Sequence, residues 1–424
     1  MSVIKQTIAS QVPNLRNRVR DLGKEHGKKS VSDVSIEQVL GGMRGVKSLV
    51  CDTSEVALDR GLIIRGIPVA ELTDKLPEEI LFLLLTGELP NKEQLADIKQ
   101  EMNNRSEVPG YIWTFLKNAP KEAHPMALFS AAITLLETES KFRREYDKGM
   151  KKDVYWEYTL EDSLDLIAKL PAIASGIYRI KFGKGELIPS NPKLDWAANY
   201  VHMLGLEENE EVYNMMRLYM VLHTDHESGN VSAFTSSTVG SALSDPYYAL
   251  AAGMNGLAGP LHGLANQECL RFVLDIVDHF GGAPTDEQLT AFAKERLDKG
   301  LVIPGYGHAV LRVTDPRFTA FLEFGKKHFP NDSRILVVDK LFNIVPRLLI
   351  EQGKAKDPWP NVDAGSGALL YHYGITEFEY YTVLFGVSRA IGICSQLVLA
   401  RAMGLPITRP KSVTLDWLEK AAKD

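Results

Sequence analysis

The stretch Val383 to Ala400 constrains this chain more than any other segment. It is apolar and nearly long enough to span a bilayer. Arg389 and Gln396 lie inside it, however, and no second span accompanies it. Polar side chains in such a run need partners that lipid does not supply, so the segment reads as a helix buried in protein. No membrane role follows from it.

Helical patterns dominate the rest of the chain. Pro77 to Leu85 opens with a helix-start proline and two acids and continues with an apolar body. Leu160, Leu164 and Ile167 form a helical stripe, which Pro171 is expected to kink or end. Glu211 to His223 and Asp286 to Leu297 also read as helices. One strand pair is expected near Val56 to Val69, turning at Asp59-Arg60-Gly61. The predicted class is all-α with one small β-hairpin. Small residues collect over Gly240 to Gly263 and Gly386 to Gly404, where helices can approach closely, either within one core or between subunits. Gly/Pro punctuation near Gly281 and Asp357-Pro-Trp-Pro360 suggests a smaller lobe of residues 265–379. A large helical domain would then comprise residues 1–264 and 380–424.

At 424 residues the chain can hold one large core or two unequal domains. A net charge of −6 argues against a nucleic-acid partner. Cys51, Cys269 and Cys394 are odd in number and far apart, which indicates no disulfide framework and a reducing compartment. The first twenty residues are basic, as a transit peptide would be. Yet Ile4, Ile8, Val12, Leu15, Val19 and Leu22 recur at steps of three and four, the stripe of a structural helix.

Four islands carry the chemistry. In Val302-Ile-Pro-Gly-Tyr-Gly-His308, Gly305 and Gly307 allow backbone amides to approach a ligand, and Arg312 and Arg317 follow as permanent cations. His262 lies in Gly259-Pro-Leu-His-Gly263, and Asp363 in Pro358-Trp-Pro-Asn-Val-Asp-Ala-Gly365. Taken alone, His262 reads as a core histidine and Asp363 as a helix cap. Together the islands offer histidines, a carboxylate and arginines, an acid–base set facing an anion. The fourth island, His223-Thr-Asp-His226, puts two histidines one turn apart, but no further ligands stand at a supporting spacing, so no metal is expected.

These islands, with Gly41-Gly-Met-Arg-Gly45, Ser241-Ala-Leu-Ser-Asp-Pro246, Phe385-Gly-Val-Ser-Arg389 and Arg409-Pro-Lys-Ser412, resemble the citrate synthases of the eukaryotic-like branch over nearly the whole chain. The resemblance implies a two-domain helical fold and a homodimer. It implies condensation of acetyl-CoA with oxaloacetate and hydrolysis to citrate and CoA, the entry step of the tricarboxylic acid cycle. Neither a metal nor any cofactor besides these substrates is implied. Asp363 would be the base, His262 would stabilise the enol, and His308 would polarise the oxaloacetate carbonyl. His226, Arg317, Arg389 and a partner subunit's Arg409 would bind oxaloacetate. Arg44, Arg312, Lys354, Lys356 and the Val302–Gly307 loop, with its Gly305 and Gly307, would bind CoA. The small domain would shut on oxaloacetate.

Two positions depart from the family pattern, since Gly365 and Phe234 each replace a usual histidine. They leave 2-methylcitrate synthesis from propionyl-CoA as the nearest rival. A non-catalytic family member would be expected to lack His262, His308 or Asp363, and all three are present. The family's mature start matches the start of this chain, which implies a cytoplasmic, bacterial enzyme, with a processed mitochondrial form as the alternative.

Overall fold

A computed structural model describes residues 2–307, 311–353 and 357–423. The apolar run forms the core of the helix Tyr381–Met403, which is buried along nearly its whole length. It packs on the long helix Tyr155–Lys181 and on the helices Val231–Ser241, Pro246–Leu257 and Pro77–Thr86. Its polar residues find the partners that a bilayer would deny them. Arg389 Nε donates to the His223 carbonyl at 3.0 Å, and Gln396 Nε2 donates to Asp225 Oδ1 at 2.7 Å. Gly392 matters because the turn after helix Glu210–Leu222 rests directly on it. Its N–H reaches the Thr224 carbonyl at 3.1 Å, and a Cβ there would stand 2.5 Å from Asp225 Oδ1.

The helix Tyr155–Lys181 continues past Pro171, so the proline does not end it. Proline removes the N–H that would bond the Ile167 carbonyl. Trp196 supplies the missing donor, its indole Nε1 standing 3.2 Å from that oxygen. Trp196→Phe keeps the ring but strands a buried carbonyl, so it should cost about 1–3 kcal/mol. A thermal midpoint unchanged from the parent would contradict this account.

The expected hairpin is present as β1 (Ser54–Ala57) and β2 (Gly61–Ile64), antiparallel with Ser54 opposite Ile64. A third strand, β3 (Ile67–Pro68), extends it to a three-stranded sheet, which corrects the single hairpin. The connecting turn is Arg65-Gly66, both at positive φ. Asn-Gly or Asp-Gly would have announced such a turn. Arg65 is instead held there by its guanidinium, whose Nε donates to the Leu84 carbonyl at 2.8 Å.

The N-terminal stripe folds as helix Val3–His26, with Ile4, Ile8 and Val12 buried against the core. Beyond Arg16, whose Nε donates to the Ala402 carbonyl at 3.0 Å, the helix is exposed, Val19 and Leu22 included. The five helices from Ala265–Phe280 to Asp363–His372 pack chiefly on one another. They meet the rest of the protein along the face that carries the four islands.

Candidate active site

Arg389 lies at the bottom of this face, 2% exposed, its guanidinium 4.8 Å from the Phe385 ring centroid. Burial pulls its pKa down to about 10, and Arg317 adds to this, while Asp225 and Asp363 pull upward. The group stays charged at neutral pH, in a place where water does not shield it.

Arg317 comes from the start of helix Pro316–His328. Asp315 caps that helix by accepting the Arg317 backbone N–H at 3.0 Å. The same carboxylate grips the side chain, with Nε–Oδ1 at 3.0 Å and Nη2–Oδ2 at 2.6 Å. Both residues are buried, so the cap and the forked ion pair fix one edge of the guanidinium.

Asp363 is the first residue of helix Asp363–His372 and is half-buried. Its N–H donates to Asn361 Oδ1 at 3.0 Å. Burial raises its acid pKa to about 6; Arg317 and Arg389 hold it down, and Asp315 pushes it up. The glycine loop is laced to the same segment. Asn361 N donates to the Gly305 carbonyl at 2.9 Å, and Gly307 N donates to the Trp359 carbonyl at 2.9 Å. At Gly305, φ is +81°, and a Cβ would sit 2.8 Å from that of Ala364. Only glycine lets this loop lie on the start of the Asp363 helix. His308 follows directly and lies outside the described residues, as do Lys354 and Lys356.

His262 reaches the site from the turn after helix Pro246–Leu257. Its Nε2 stands 3.3 Å from the Ser232 amide and 3.0 Å from Ser232 Oγ. A backbone N–H can only donate, so Nε2 accepts and the ring proton is assigned to Nδ1. Ser232 lies in the first turn of helix Val231–Ser241, where the positive end of the helix dipole disfavours an imidazolium. Burial and then Arg389 push the His262 pKa down to about 4. The ring is therefore neutral at pH 7 and offers one N–H.

The remaining candidates separate into near and far. His226 is half-buried in the turn leading to the same helix, and its carbonyl accepts Asn230 Nδ2 at 3.0 Å. Asn230 is that helix's cap and its Oδ1 accepts the Ser232 hydroxyl at 2.8 Å, so one asparagine ties the His226 turn to the serine that orients His262. Arg409 is exposed on the C-terminal segment, where it lines a groove with Met43, Phe234 and Arg401 rather than joining the Asp363 cluster. Arg44 is exposed at the neighbouring 41–45 turn. Arg312 N donates to the Leu58 carbonyl at 2.9 Å, which sets it beside the hairpin. Val302 is exposed, its carbonyl accepting Arg296 Nε at 2.8 Å. Of the two departures, Gly365 packs against Phe318 in the interior, and Phe234 faces the Arg409 groove. Sequence reasoning missed Asp315, Ser232 and Asp225. The Asp-Pro start of helix Pro316–His328 was the one local signal for any of them.

Comparison with known proteins adds the lineage. A family model described as "Citrate synthase, C-terminal domain" matches residues 42–411. An Arabidopsis thaliana protein named "Citrate synthase 4, mitochondrial" is 47% identical over 430 residues, spanning 99% of this chain and 90% of that protein. A Xiphias gladius protein named "Citrate synthase, mitochondrial" is 48% identical over 426 residues, spanning 98% and 91%. The crystal structure of citrate synthase from Pyrobaculum aerophilum superposes with a TM-score of 0.80 at 28% identity, covering 91% of this chain and 95% of that one. The mitochondrial names overturn the expectation of a cytoplasmic protein. A targeting segment is separate from the folded body, so the body's motifs carry no address.

Proposed function

Because the chain belongs to the citrate synthase family, we propose that it condenses acetyl-CoA with oxaloacetate and hydrolyses the resulting thioester to citrate and CoA. The observation that carries this reading is the convergence of Asp363, the neutral His262 and the paired cations Arg317 and Arg389. Asp363, ionised above about pH 6, takes a proton from the acetyl methyl group. That carbon acid is far weaker than any carboxylic acid, so the enol must be stabilised as it forms. His262 does this by donating Nδ1–H to the thioester oxygen, with Nε2 fixed by Ser232. The enol carbon then attacks the oxaloacetate carbonyl, whose oxygen takes a proton from His308. Arg317, Arg389 and His226 hold the two carboxylates of oxaloacetate.

Arg409 is read as serving the site of a second copy in a homodimer. Val231, Phe234 and Tyr248, exposed on adjacent helices, give that copy an apolar surface to cover. The CoA phosphates fall to Arg44, Arg312, Lys354 and Lys356, and the adenine to the Val302–Gly307 loop. Residues 265–379 act as a small domain that closes on oxaloacetate and excludes water before condensation. A mitochondrial location accords with the relatives.

The test is CoA-thiol release on mixing the protein with oxaloacetate and either acetyl-CoA or propionyl-CoA. Acetyl-CoA should be turned over faster. One methylene is worth about 1–3 kcal/mol in a pocket, so the margin should be about ten- to hundredfold. A preference for propionyl-CoA would reassign the chain to 2-methylcitrate synthesis, and silence with both would remove the catalytic reading.

A further inference from the structure

Asp225 lies in the His223–His226 turn, from which the mechanism uses only His226, yet it is fully buried behind Arg389. Three side-chain donors converge on its carboxylate. Ser54 Oγ donates to Oδ2 at 2.8 Å, Gln396 Nε2 donates to Oδ1 at 2.7 Å, and the Thr53 hydroxyl adds a third bond. Ser54 has its own oxygen occupied by the Glu227 amide at 2.8 Å, which leaves its proton for Asp225. Burial pushes the Asp225 acid pKa up, and Thr53, Ser54, Arg389 and Gln396 work against that; a carboxylate only accepts, whereas a carboxylic acid must also donate, so this donor set suits the ionised form. The central helix keeps a glycine, Gly392, where the turn presses against it.

From this geometry we infer that Asp225 is a charge-balancing residue, a fixed anion that moderates the field of Arg389 at the reacting groups. The inference rests on the proposed function. Arg389 is the shared cation, felt by Asp363 and His262 on one side and by Asp225 on the other. Without its inner anion, Arg389 would hold Asp363 more firmly as a carboxylate. That would make Asp363 a weaker base and the oxaloacetate site more attractive to a dianion. The other charges facing Asp225 are Arg65 from the hairpin and Glu227 from its own turn. Those facing Asp363 are Arg317, Asp315 and Arg389, with Tyr219 and Cys269 also alongside it.

The experiment compares kcat and KM across pH for the parent and Asp225→Asn, with thermal unfolding as a control on folding. In the variant the acid limb of kcat/KM should move down by roughly half to one pH unit. The KM for oxaloacetate should fall several-fold and kcat should fall with it, a split that a merely structural residue would not give. An unmoved acid limb and KM in a folded variant would overturn the inference. If Asp225→Asn does not fold, the Ser54→Ala/Gln396→Leu double variant strips two of the three donors and should shift the limb in the same direction by less. An unmoved limb there would count equally against it. A parent protein inactive with both thioesters would instead sink the proposed function, so the two failures are distinguishable.

Discussion

Asp363→Ala should lower the rate of condensation by about 10²–10⁴-fold, the range expected when a positioned base is lost. Oxaloacetate binding should survive, because the deletion removes an anion, and not a cation, from beside Arg317 and Arg389. Calorimetric titration with oxaloacetate and single-turnover kinetics separate the two effects. Near-normal turnover would remove Asp363 from the role of base. The same residue sets a pH profile in the parent. Its acid pKa is raised to about 6, chiefly by burial, so kcat/KM should fall as pH drops through about 6 and level off above it. The sign for stability is opposite to that for activity. A carboxyl group with a raised folded-state pKa contributes stability below its unfolded pKa, and this is lost as pH rises through the folded value. At pH 8 the ionised Asp363 therefore works against the fold. The Ala variant should unfold no earlier than the parent there, and a markedly lower midpoint would refute that reasoning.

Arg389→Gln should be the second severe lesion, and its cause is different. A charge-assisted contact to a carboxylate is worth about 1.5–3 kcal/mol, so oxaloacetate binding should weaken about ten- to hundredfold. The loss also leaves Asp225 and Asp363 without a shared counter-charge, and the acid limb should move to higher pH. Removing one partner from buried charges costs about 3–5 kcal/mol, so a lower thermal midpoint should accompany the kinetic loss. Unchanged oxaloacetate affinity in a folded variant would rule out Arg389 as a ligand.

The legible parts of this protein are those whose cause is local. The central helix could be recognised because an apolar run with an internal arginine has few other solutions. The first hairpin turn could be recognised because Asp59-Arg60-Gly61 is turn chemistry. The passage through Pro171 could not, since its condition is an indole N–H contributed by Trp196, a residue of a different helix. The third strand was hidden for a similar reason, because Arg65 keeps its left-handed backbone through carbonyls of a later helix. At the site, His262, Asp363, Arg317 and Arg389 stood out through their glycine and proline settings and the family likeness. Asp315, Ser232 and Asp225 did not, because an aspartate or serine beside a helix start looks the same whether it caps, orients an imidazole or balances a guanidinium. Only the partners distinguish these roles, and the partners are distant in sequence.

The helix that fills the middle of this protein begins only at Tyr381. During translation the helices that will surround it emerge first; at roughly 5–20 residues per second, the helix Tyr155–Lys181 waits about 10–40 seconds before its centrepiece begins to be made. Through that interval the faces of Tyr155–Lys181 and Pro246–Leu257 that it will cover have nothing to lie against. Those faces should therefore stay open to chaperones until the Tyr381–Met403 segment leaves the ribosome. A truncation just before residue 381 should yield not a smaller enzyme but an aggregate.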